Sequence, residues 1–192
     1  MDNKIHIKPL ESNVEILESL SNYGINIEYF GFLFQANIRA NKSNAVLIEK
    51  ILEIEVPLET NTYKQKNDFS LLCLGPDEWL FVAPLGKRKK ILLEKIPQND
   101  NQFISFVDVS FNRKILRMSG KNILKLFSAL TSFQVDKMSD RACSSTMLAK
   151  SQVILQCIKE NEIYNIFVRS SFSGYLVDAI IDQSKFFSTC YD

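Results

Sequence analysis

The hydrophobic pattern is clearest between residues 103 and 130, where it predicts two strands followed by a helix. Apolar and polar positions alternate over 103–108, as in a strand that buries one face. Asp108 and Ser110 then predict a break, because their short side chains can bond nearby backbone N–H groups. The chain is extended again up to Gly120, and a helix with an apolar stripe follows this glycine.

Upstream of this stretch, the pattern predicts a strand, a helix and a hairpin in that order. Residues 28–40 are predicted to form one long aromatic strand, and Gly31 within it indicates a bulge or a close backbone approach. Ser43 is a suitable N-cap for the helix that follows. Two apolar runs within 69–84 flank the turn residues 75–78, where a proline presets φ for a hairpin turn.

The remaining predictions concern the connections and the second half of the chain. The polar segment 59–68 is predicted to be an exposed loop, and 87–96 a helix. Residues 1–24 are weakly patterned, which predicts either a short helix or a segment that becomes ordered only on a partner. Beyond residue 130 we expect three strands and a final helix, namely 144–149, 153–158, 163–169 and a helix capped by Ser170 or Ser171.

The two halves of the chain show the same order of elements, which is strand, helix, hairpin and helix. A few identities also match, such as Arg39 with Arg117, at an offset of about 80 residues that is too long for a solenoid repeat. We therefore predict a single compact domain, 1–192, built from two pseudo-repeated halves at about 25–100 and about 103–185. The predicted fold class is α+β, with antiparallel sheets and helices on one face.

The composition supplies a core and argues against several classes of partner. Of the 192 residues, 46% are hydrophobic and 14 are phenylalanine, so the chain can form a stable core without disulfides or a structural metal. The net charge of +1 at pH 7 gives no electrostatic reason to expect nucleic acid or an anionic membrane. The N-terminus lacks the apolar region of a secretory signal, and no apolar run reaches the roughly 20 residues of a transmembrane helix.

The four cysteines predict reduced thiols in a cytoplasmic protein. They are scattered and form no CxxC pair, and a chain of this length needs no disulfide framework. Cys73 and Cys157 lie in apolar, strand-like runs, where we expect them to act as small hydrophobic residues.

The sequence offers few candidates for catalysis or metal binding. Because His6 is the single histidine, a Ser–His or Cys–His nucleophile and a histidine-based zinc site are nearly excluded, while acid–base chemistry by carboxylates stays open. Ser119-Gly120-Lys121 is similar to the end of a phosphate-binding loop, but that pattern would need glycine at Ile115 and Ser or Thr at Asn122. We assign no catalytic, cofactor-binding or metal residue. We expect Gly120 to permit the tight connection between a strand and the helix that follows it.

The cationic residues and the tryptophan leave alternatives open. Lys87-Arg88-Lys89-Lys90 is the only basic run, and it predicts a solvated face, a docking site for an acidic partner subunit or, as the weakest choice, a nucleic-acid contact. Trp79, the single tryptophan, is either a core residue or an interface anchor. Four arginines near strand ends are expected to form structural ion pairs or to contact an interface or an anion, namely Arg113, Arg117, Arg141 and Arg169.

Several segments between about 69 and 182 match the motifs of a known family. Residues 107–122, with Asp108 and Arg113 in the matching places, resemble the block DxS…R…lrlsGpdA…L of the sarcosine oxidase gamma subunits. Residues 74–80 read LGPDEWL and resemble the hairpin of that family. Two further similarities are the strand that contains Thr146 and the closing element at 168–176.

The DxS block is shared with the folate-dependent aminomethyltransferases and their iron–sulfur-assembly relatives, so the resemblance implies the same fold. This chain departs from both at the positions that do chemistry. Phe111 stands where the aminomethyltransferases have a histidine, and residues 161–168 stand where they have a GYTGE-type stretch. The KGCYxGQ motif of the relatives is also missing, and the chain is shorter than either family. The resemblance therefore implies the fold of a folate enzyme without the functional residues that this fold usually carries.

The resemblance also implies a function, which is that of a subunit of heterotetrameric sarcosine oxidase. This oxidoreductase complex of one-carbon metabolism demethylates sarcosine oxidatively to glycine and can pass the one-carbon unit to tetrahydrofolate. In the family, FAD, FMN, NAD, tetrahydrofolate and zinc belong to other subunits, and the gamma chain is a non-catalytic piece that packs against the alpha and beta (and delta) subunits. The alternative is a free-standing folate-binding or one-carbon transfer protein of the same fold, and an unrelated regulatory or binding module is the remaining choice.

Overall fold

A computed structural model describes residues 20–87 and 104–187 of the chain. The predictions for His6, for the basic run beyond Lys87 and for nearly all of the 87–96 helix lie outside these ranges. No helix within them has the length and apolar content needed to cross a membrane.

The strands are β1 (Asn26–Gly31), β2 (Phe34–Ala40), β3 (Tyr63–Lys66), β4 (Phe69–Gly75), β5 (Glu78–Ala83), β6 (Ile104–Asp108), β7 (Arg113–Ser119), β8 (Cys143–Leu148), β9 (Ser151–Lys159) and β10 (Ile163–Arg169). The helices are α1 (Ala45–Leu52), α2 (Ile123–Leu130) and α3 (Ser173–Ser184).

The strands form two five-stranded antiparallel sheets. Sheet I has the order β1-β7-β10-β9-β8, and sheet II has the order β3-β4-β5-β2-β6. Read from opposite ends, the two orders correspond strand for strand, with β1 in the place of β6 and β7 in the place of β2. The two sheets exchange one edge strand. Strand β1 precedes the strands of sheet II in the chain but pairs with β7 at the edge of sheet I, and β6 precedes most strands of sheet I but pairs with β2 at the edge of sheet II. The predicted α+β class with antiparallel sheets is confirmed.

The prediction of one continuous strand over 28–40 is wrong. The chain leaves sheet I at Gly31, whose φ of 66° lies in the left-handed region that glycine tolerates. It enters sheet II at Phe34. A register shift precedes Gly31 in the pairing of β1 with β7, so the expected irregularity at this glycine is confirmed. The chain changes sheet again between β6 and β7, at the break predicted from Asp108 and Ser110.

The prediction of an exposed loop over 59–68 is also wrong in part, because this segment contains the edge strand β3. Tyr63 is buried and pairs with Leu72 of β4. The Tyr63 N–H donates to the Arg141 carbonyl at 2.9 Å, and the Tyr63 hydroxyl donates to the Cys157 carbonyl at 2.9 Å. Strand β3 therefore ties sheet II to sheet I, although its polar sequence shows no hydrophobic alternation.

Three apolar clusters define the layers of the molecule. Helices α2 and α3 cover the outer face of sheet I, where Phe127 and Leu176 are buried. Helix α1 covers the outer face of sheet II with Ile48 and Leu52. The third cluster lies between the two sheets. Each sheet therefore carries its described helices on one face and packs its other face against the second sheet.

Both predicted hairpins are present. The hairpin of 69–84 consists of β4 and β5, and Trp79 within it is fully buried with its indole N–H donating to the Pro57 carbonyl at 2.8 Å. Trp79 is therefore a core residue. Strands β8 and β9 turn at Ala149 and Lys150, one residue earlier than predicted. The φ values of Ala149 and Lys150, 45° and 67°, are those of a type I′ turn, which matches the twist of a two-residue hairpin.

Candidate functional site

The layer between the sheets is apolar in the middle and polar at both ends. Ile115 and Phe167 of sheet I lie at its centre and pack with Leu72 and Leu80 of sheet II. Because side chains alternate along a strand, residues two positions away in either direction point into the same layer. On β7 and β10 these are arginine or asparagine residues, and each end of the layer contains a cavity.

At one end, Arg117, Asn165 and Gln156 form a hydrogen-bonded chain across three strands of sheet I. The Arg117 Nε donates to Oδ1 of Asn165 at 3.0 Å, and Nδ2 of Asn165 donates to Oε1 of Gln156 at 3.0 Å. The Arg117 guanidinium also lies 4.8 Å from the ring centroid of Phe30, in a cation–π contact. Nε2 of the buried Gln156 has no partner among the described residues.

This Arg117 cavity has a volume of about 280 Å³ and is lined by both sheets. Half of its lining residues are apolar, and the other half are polar or charged. The lining holds neither a cysteine nor a histidine, so the described part of this cavity offers no activated nucleophile.

At the other end, Arg113 and Arg169 are direct cross-strand partners on β7 and β10. They line a cavity of about 160 Å³ together with Glu78, Ser145 and Gln152. Desolvation lowers the pKa of Arg113, and the nearby charge of Arg169 lowers this pKa further, whereas Glu78 raises it. Two guanidinium groups and one carboxylate line this cavity, so its lining carries a net positive charge, and the two guanidinium groups repel each other.

The DxS segment has a structural role in this molecule. The Ser110 backbone N–H and hydroxyl both donate to the Asp108 carboxylate, and the backbone N–H of Gln35 donates to the Ser110 oxygen at 3.2 Å. The Gln35 side-chain amide then donates to the Arg113 carbonyl at 2.9 Å. The motif therefore ties the link between β6 and β7 to strand β2 and fixes the backbone from which the Arg113 side chain extends.

The three described cysteines are buried and poorly suited to nucleophilic chemistry. Burial raises the pKa of Cys143 to about 12 and that of Cys157 to about 11, and it also raises the pKa of Cys73. Since the thiolate is the reactive form, these thiols stay protonated and act as small hydrophobic residues. Residues 20–87 and 104–187 contain no group of three or more Cys, His, Asp or Glu residues placed to hold a metal ion.

The corner at Gly120 is filled by the chain itself. Gly120 has a φ of 126°, and a Cβ at this position would overlap the Gly24 carbonyl oxygen. The Asn122 backbone N–H donates to this same carbonyl at 3.2 Å, and the Asn122 side-chain amide donates to the Tyr23 carbonyl at 2.7 Å. The backbone of 23–24 therefore occupies the place that an anion would take in a phosphate-binding loop.

The structure separates the four arginines that the sequence grouped together. Arg113 and Arg169 share one cavity, Arg117 lines the other, and Arg141 lies in the segment beside β3. None of the ion pairs within the described ranges involves these four residues, so the structural ion pairs expected from sequence are not found there.

Sequence analysis did not identify the polar residues that face the inner layer. Gln35, Gln156 and Asn165 each lie within an apolar strand, and their side chains bond to other strands or to the Arg113 backbone. A lone amide at an inward position of a hydrophobic strand was the available signal, because a buried polar group needs a hydrogen-bond partner.

An aromatic patch is exposed where the loops after β6 and β10 meet. We call Phe111, Phe172 and Tyr175 the corner patch, and their exposed fractions are 58%, 47% and 46%. The Ser170 hydroxyl lies 2.7 Å from the Phe111 carbonyl, which joins the two loops, and Phe32 packs edge-on against Phe111. Exposed aromatic clusters of this kind often mark protein–protein contacts.

Comparison with known proteins gives one family and two informative solved structures. The model of the "Sarcosine oxidase, gamma subunit family" matches residues 37–185. No curated protein matches the chain in sequence. A chain of the heterotetrameric sarcosine oxidase from Corynebacterium sp. U-96, in complex with pyrrole 2-carboxylate, has a TM-score of 0.75 at 18% identity and covers 94% of this chain and 96% of that chain.

The second structure is aminomethyltransferase T of the glycine cleavage system from Bartonella henselae. It has a TM-score of 0.62 at 9% identity, and the match covers 88% of this chain and 49% of that chain. Both structures share the fold described above, which confirms the likeness to the aminomethyltransferase fold. Because the family model spans most of the sequence, from the middle of β2 to the end of α3, the chain belongs to the sarcosine oxidase gamma subunit family.

Proposed function

We propose that this chain is a non-catalytic, structural gamma subunit of a heterotetrameric sarcosine oxidase, and that it stabilises the assembly. The observation that carries the proposal is the family match over residues 37–185. The assembly would demethylate sarcosine oxidatively to glycine and pass the one-carbon unit to tetrahydrofolate. In this proposal the chain is cytoplasmic and its partners are the alpha, beta and delta subunits, which carry FAD, FMN, NAD, tetrahydrofolate and zinc.

The chemistry of the described residues supports a structural role. The hydroxyl and carboxylate of the DxS segment are used in hydrogen bonds that connect strands, and the three buried thiols are held in the protonated form. A nucleophile needs an adjacent base or a lowered pKa. The pKa values of the thiols are raised, and the Asp108 carboxylate beside Ser110 is held in the hydrogen bonds of the turn. The side chains that could react therefore serve the fold.

The corner patch supports a role in assembly. Phe111 occupies the position at which the aminomethyltransferase motif has a histidine, and more than half of its surface is exposed. Aromatic residues contribute much of the binding energy at protein interfaces, since they bury a large area with few rotatable bonds. We propose that the corner patch contacts a larger subunit.

The proposal is tested by reconstitution of the complex from co-expressed subunits, with and without this chain. We expect the complete set to form one assembly that oxidises sarcosine, and the set without this chain to give an assembly of lower thermal stability. A chain that stays monomeric beside folded alpha and beta subunits would contradict the proposal.

The corner patch is tested in the same system with Phe111→Ser and Phe172→Ser together. We expect the amount of this chain in the assembly to fall at least tenfold, as the loss of roughly 2 kcal/mol at an interface hot spot implies. Val46→Ser is the matched control, because Val46 is 77% exposed on α1, away from the patch. Equal losses in the patch variant and in the control would exclude the patch as the contact.

A further inference from the structure

The cavity at the Arg113 end of the inner layer contains more positive charge than its own residues neutralise. Arg113 and Arg169 face each other across β7 and β10 and line the same cavity. No ion pair or side-chain hydrogen bond of either guanidinium occurs within the described ranges. Arg113 is half-buried and faces the exposed Arg169, so its partly desolvated guanidinium has a like charge opposite it and Glu78 as the nearby carboxylate.

Glu78 is the one carboxylate that lines this cavity, and it is already engaged elsewhere. Its Oε2 pairs with the Arg39 guanidinium at 2.7 Å, and its Oε1 accepts from the Asn37 side-chain amide at 2.7 Å. Asp77 also pairs with Arg39, at 3.1 Å, so Glu78 shares this arginine and acts on Arg113 as well, although more weakly than desolvation and Arg169 do. The three arginines together carry one positive charge more than the two carboxylates, and this charge is left for another anion.

The rest of the lining suits a small oxyanion. Ser145 and Gln152 add a hydroxyl and an amide that can donate hydrogen bonds, and Leu74 and Ile154 form apolar walls. The volume of about 160 Å³ accommodates a group of only a few non-hydrogen atoms. Guanidinium groups bind carboxylate and phosphate in a two-pronged geometry, with charge-assisted hydrogen bonds that are stronger than neutral ones.

We infer that Arg113 and Arg169, with Ser145 and Gln152, form a binding site for a small oxyanion, a carboxylate or a phosphate, between the two sheets. The anion lies between the two guanidinium groups and removes their mutual repulsion. The site lies within one chain, so this inference is independent of the proposed assembly.

The Arg117 end provides an internal comparison. There the guanidinium donates to Asn165 and stacks on Phe30, so its charge and one of its donors are already used within the protein. Of the two arginine-lined cavities at the ends of the inner layer, only the one with the facing pair has guanidinium groups without partners among the described residues. Arg117 is for this reason the matched control.

The test is a calorimetric and thermal-shift titration of the full chain with sodium phosphate and, separately, with sodium acetate. Sodium chloride at equal ionic strength serves as the reference. We expect saturable binding and a rise in melting temperature with phosphate or acetate, and neither with chloride. The arm that saturates identifies the class of oxyanion.

Arg169→Gln should weaken this binding by about tenfold or more, as the loss of a charge-assisted hydrogen bond of at least about 1.5 kcal/mol implies. Arg169 is solvent-exposed, so its replacement should leave the fold intact, which circular dichroism checks directly. Arg117→Gln should leave the affinity unchanged. Absence of saturable binding in both arms, or equal weakening in the two variants, would overturn the inference.

Discussion

Gly120 shows how one residue is determined by the backbone around it. Its φ of 126° is strained for any residue with a Cβ, and such a Cβ would overlap the carbonyl oxygen of Gly24. The sequence predicted a glycine that eases a corner, and the structure adds the reason for the close approach. That reason was not predictable, because Gly24 lies far away along the chain and meets Gly120 only in the fold.

Gly120→Ala should destabilise the protein by at least about 1–3 kcal/mol, because strain at a positive φ is added to a steric overlap with backbone. Gly86→Ala is the control, since a Cβ at Gly86 would meet no atom within 4 Å. Chemical denaturation of the two variants measures the difference. Similar unfolding midpoints for both variants would refute the assigned role of Gly120.

The buried thiols make stability depend on pH at the alkaline end. The ordinary thiol pKa is 9.0, whereas burial raises the pKa of Cys143 to about 12 and that of Cys157 to about 11. A folded state that prefers the protonated form is fully stabilised below the unfolded pKa, and it loses this contribution as pH rises toward the folded pKa.

The free energy of unfolding should therefore fall steadily from about pH 9 upward, as measured by guanidinium denaturation at a series of pH values. A variant with both Cys143→Ala and Cys157→Ala should show a shallower fall between the ordinary thiol pKa and that of Tyr63, whose own pKa is raised to about 12 by burial. A stability that is constant over this range in the unsubstituted protein would contradict the assignment.

At the scale of elements, local pattern predicted most strands but not the sheet to which each belongs. The hairpin of β4 and β5 was predictable because its turn residues and apolar runs are adjacent in sequence. The division of 28–40 between two sheets was not, since both pieces have the same aromatic character. Strand β3 was missed for another reason: it is a polar edge strand in which Tyr63 alone is buried, so its sequence shows no alternation.

The same limit applies to the candidate site. The arginines were singled out from sequence, but their division between two cavities depends on the register of β7 with β10 and on the packing of one sheet against the other. The amides of Gln156 and Asn165 gain their roles from the register of β9, β10 and β7, and that of Gln35 from the packing of β2 against β7. A one-residue shift would turn each of these side chains to the opposite face.

Tyr63→Phe tests the connection between the sheets. The hydroxyl donates to the carbonyl of Cys157 across the layer at 2.9 Å, and its loss leaves a buried carbonyl with one partner fewer. We expect a destabilisation of about 1–2 kcal/mol in equilibrium unfolding. Tyr175→Phe is the control, because Tyr175 is exposed and its change should lie within about 0.5 kcal/mol. Equal effects of the two substitutions would remove Tyr63 as a link between the sheets.

At the scale of the whole molecule, the chain belongs to the gamma subunit family and shares its fold with an aminomethyltransferase. The resemblance found in sequence identified the family because the LGPDEWL hairpin is local and fairly specific, whereas the DxS block is shared with the aminomethyltransferases. The corner patch, which we propose as a contact with another subunit, was not predictable, since Phe111 and Phe172 come from segments that are distant in sequence.

If the fold serves here only as a scaffold, tetrahydrofolate should not stabilise the isolated chain. A thermal-shift titration is expected to be flat, with a folate-dependent aminomethyltransferase as the positive control. A true folate-binding protein would gain about 2.7 kcal/mol at a hundredfold excess of ligand over its dissociation constant. Such a gain in this chain would support the free-standing folate protein in place of the structural subunit.

The most direct test of the subunit assignment is the composition and activity of what purifies with the tagged full chain from the cells that make it. The subunit assignment predicts stoichiometric flavin-bearing subunits in one assembly, sarcosine oxidation by that assembly and no turnover by the chain alone. A chain that purifies without such subunits, or that oxidises sarcosine alone, would contradict it.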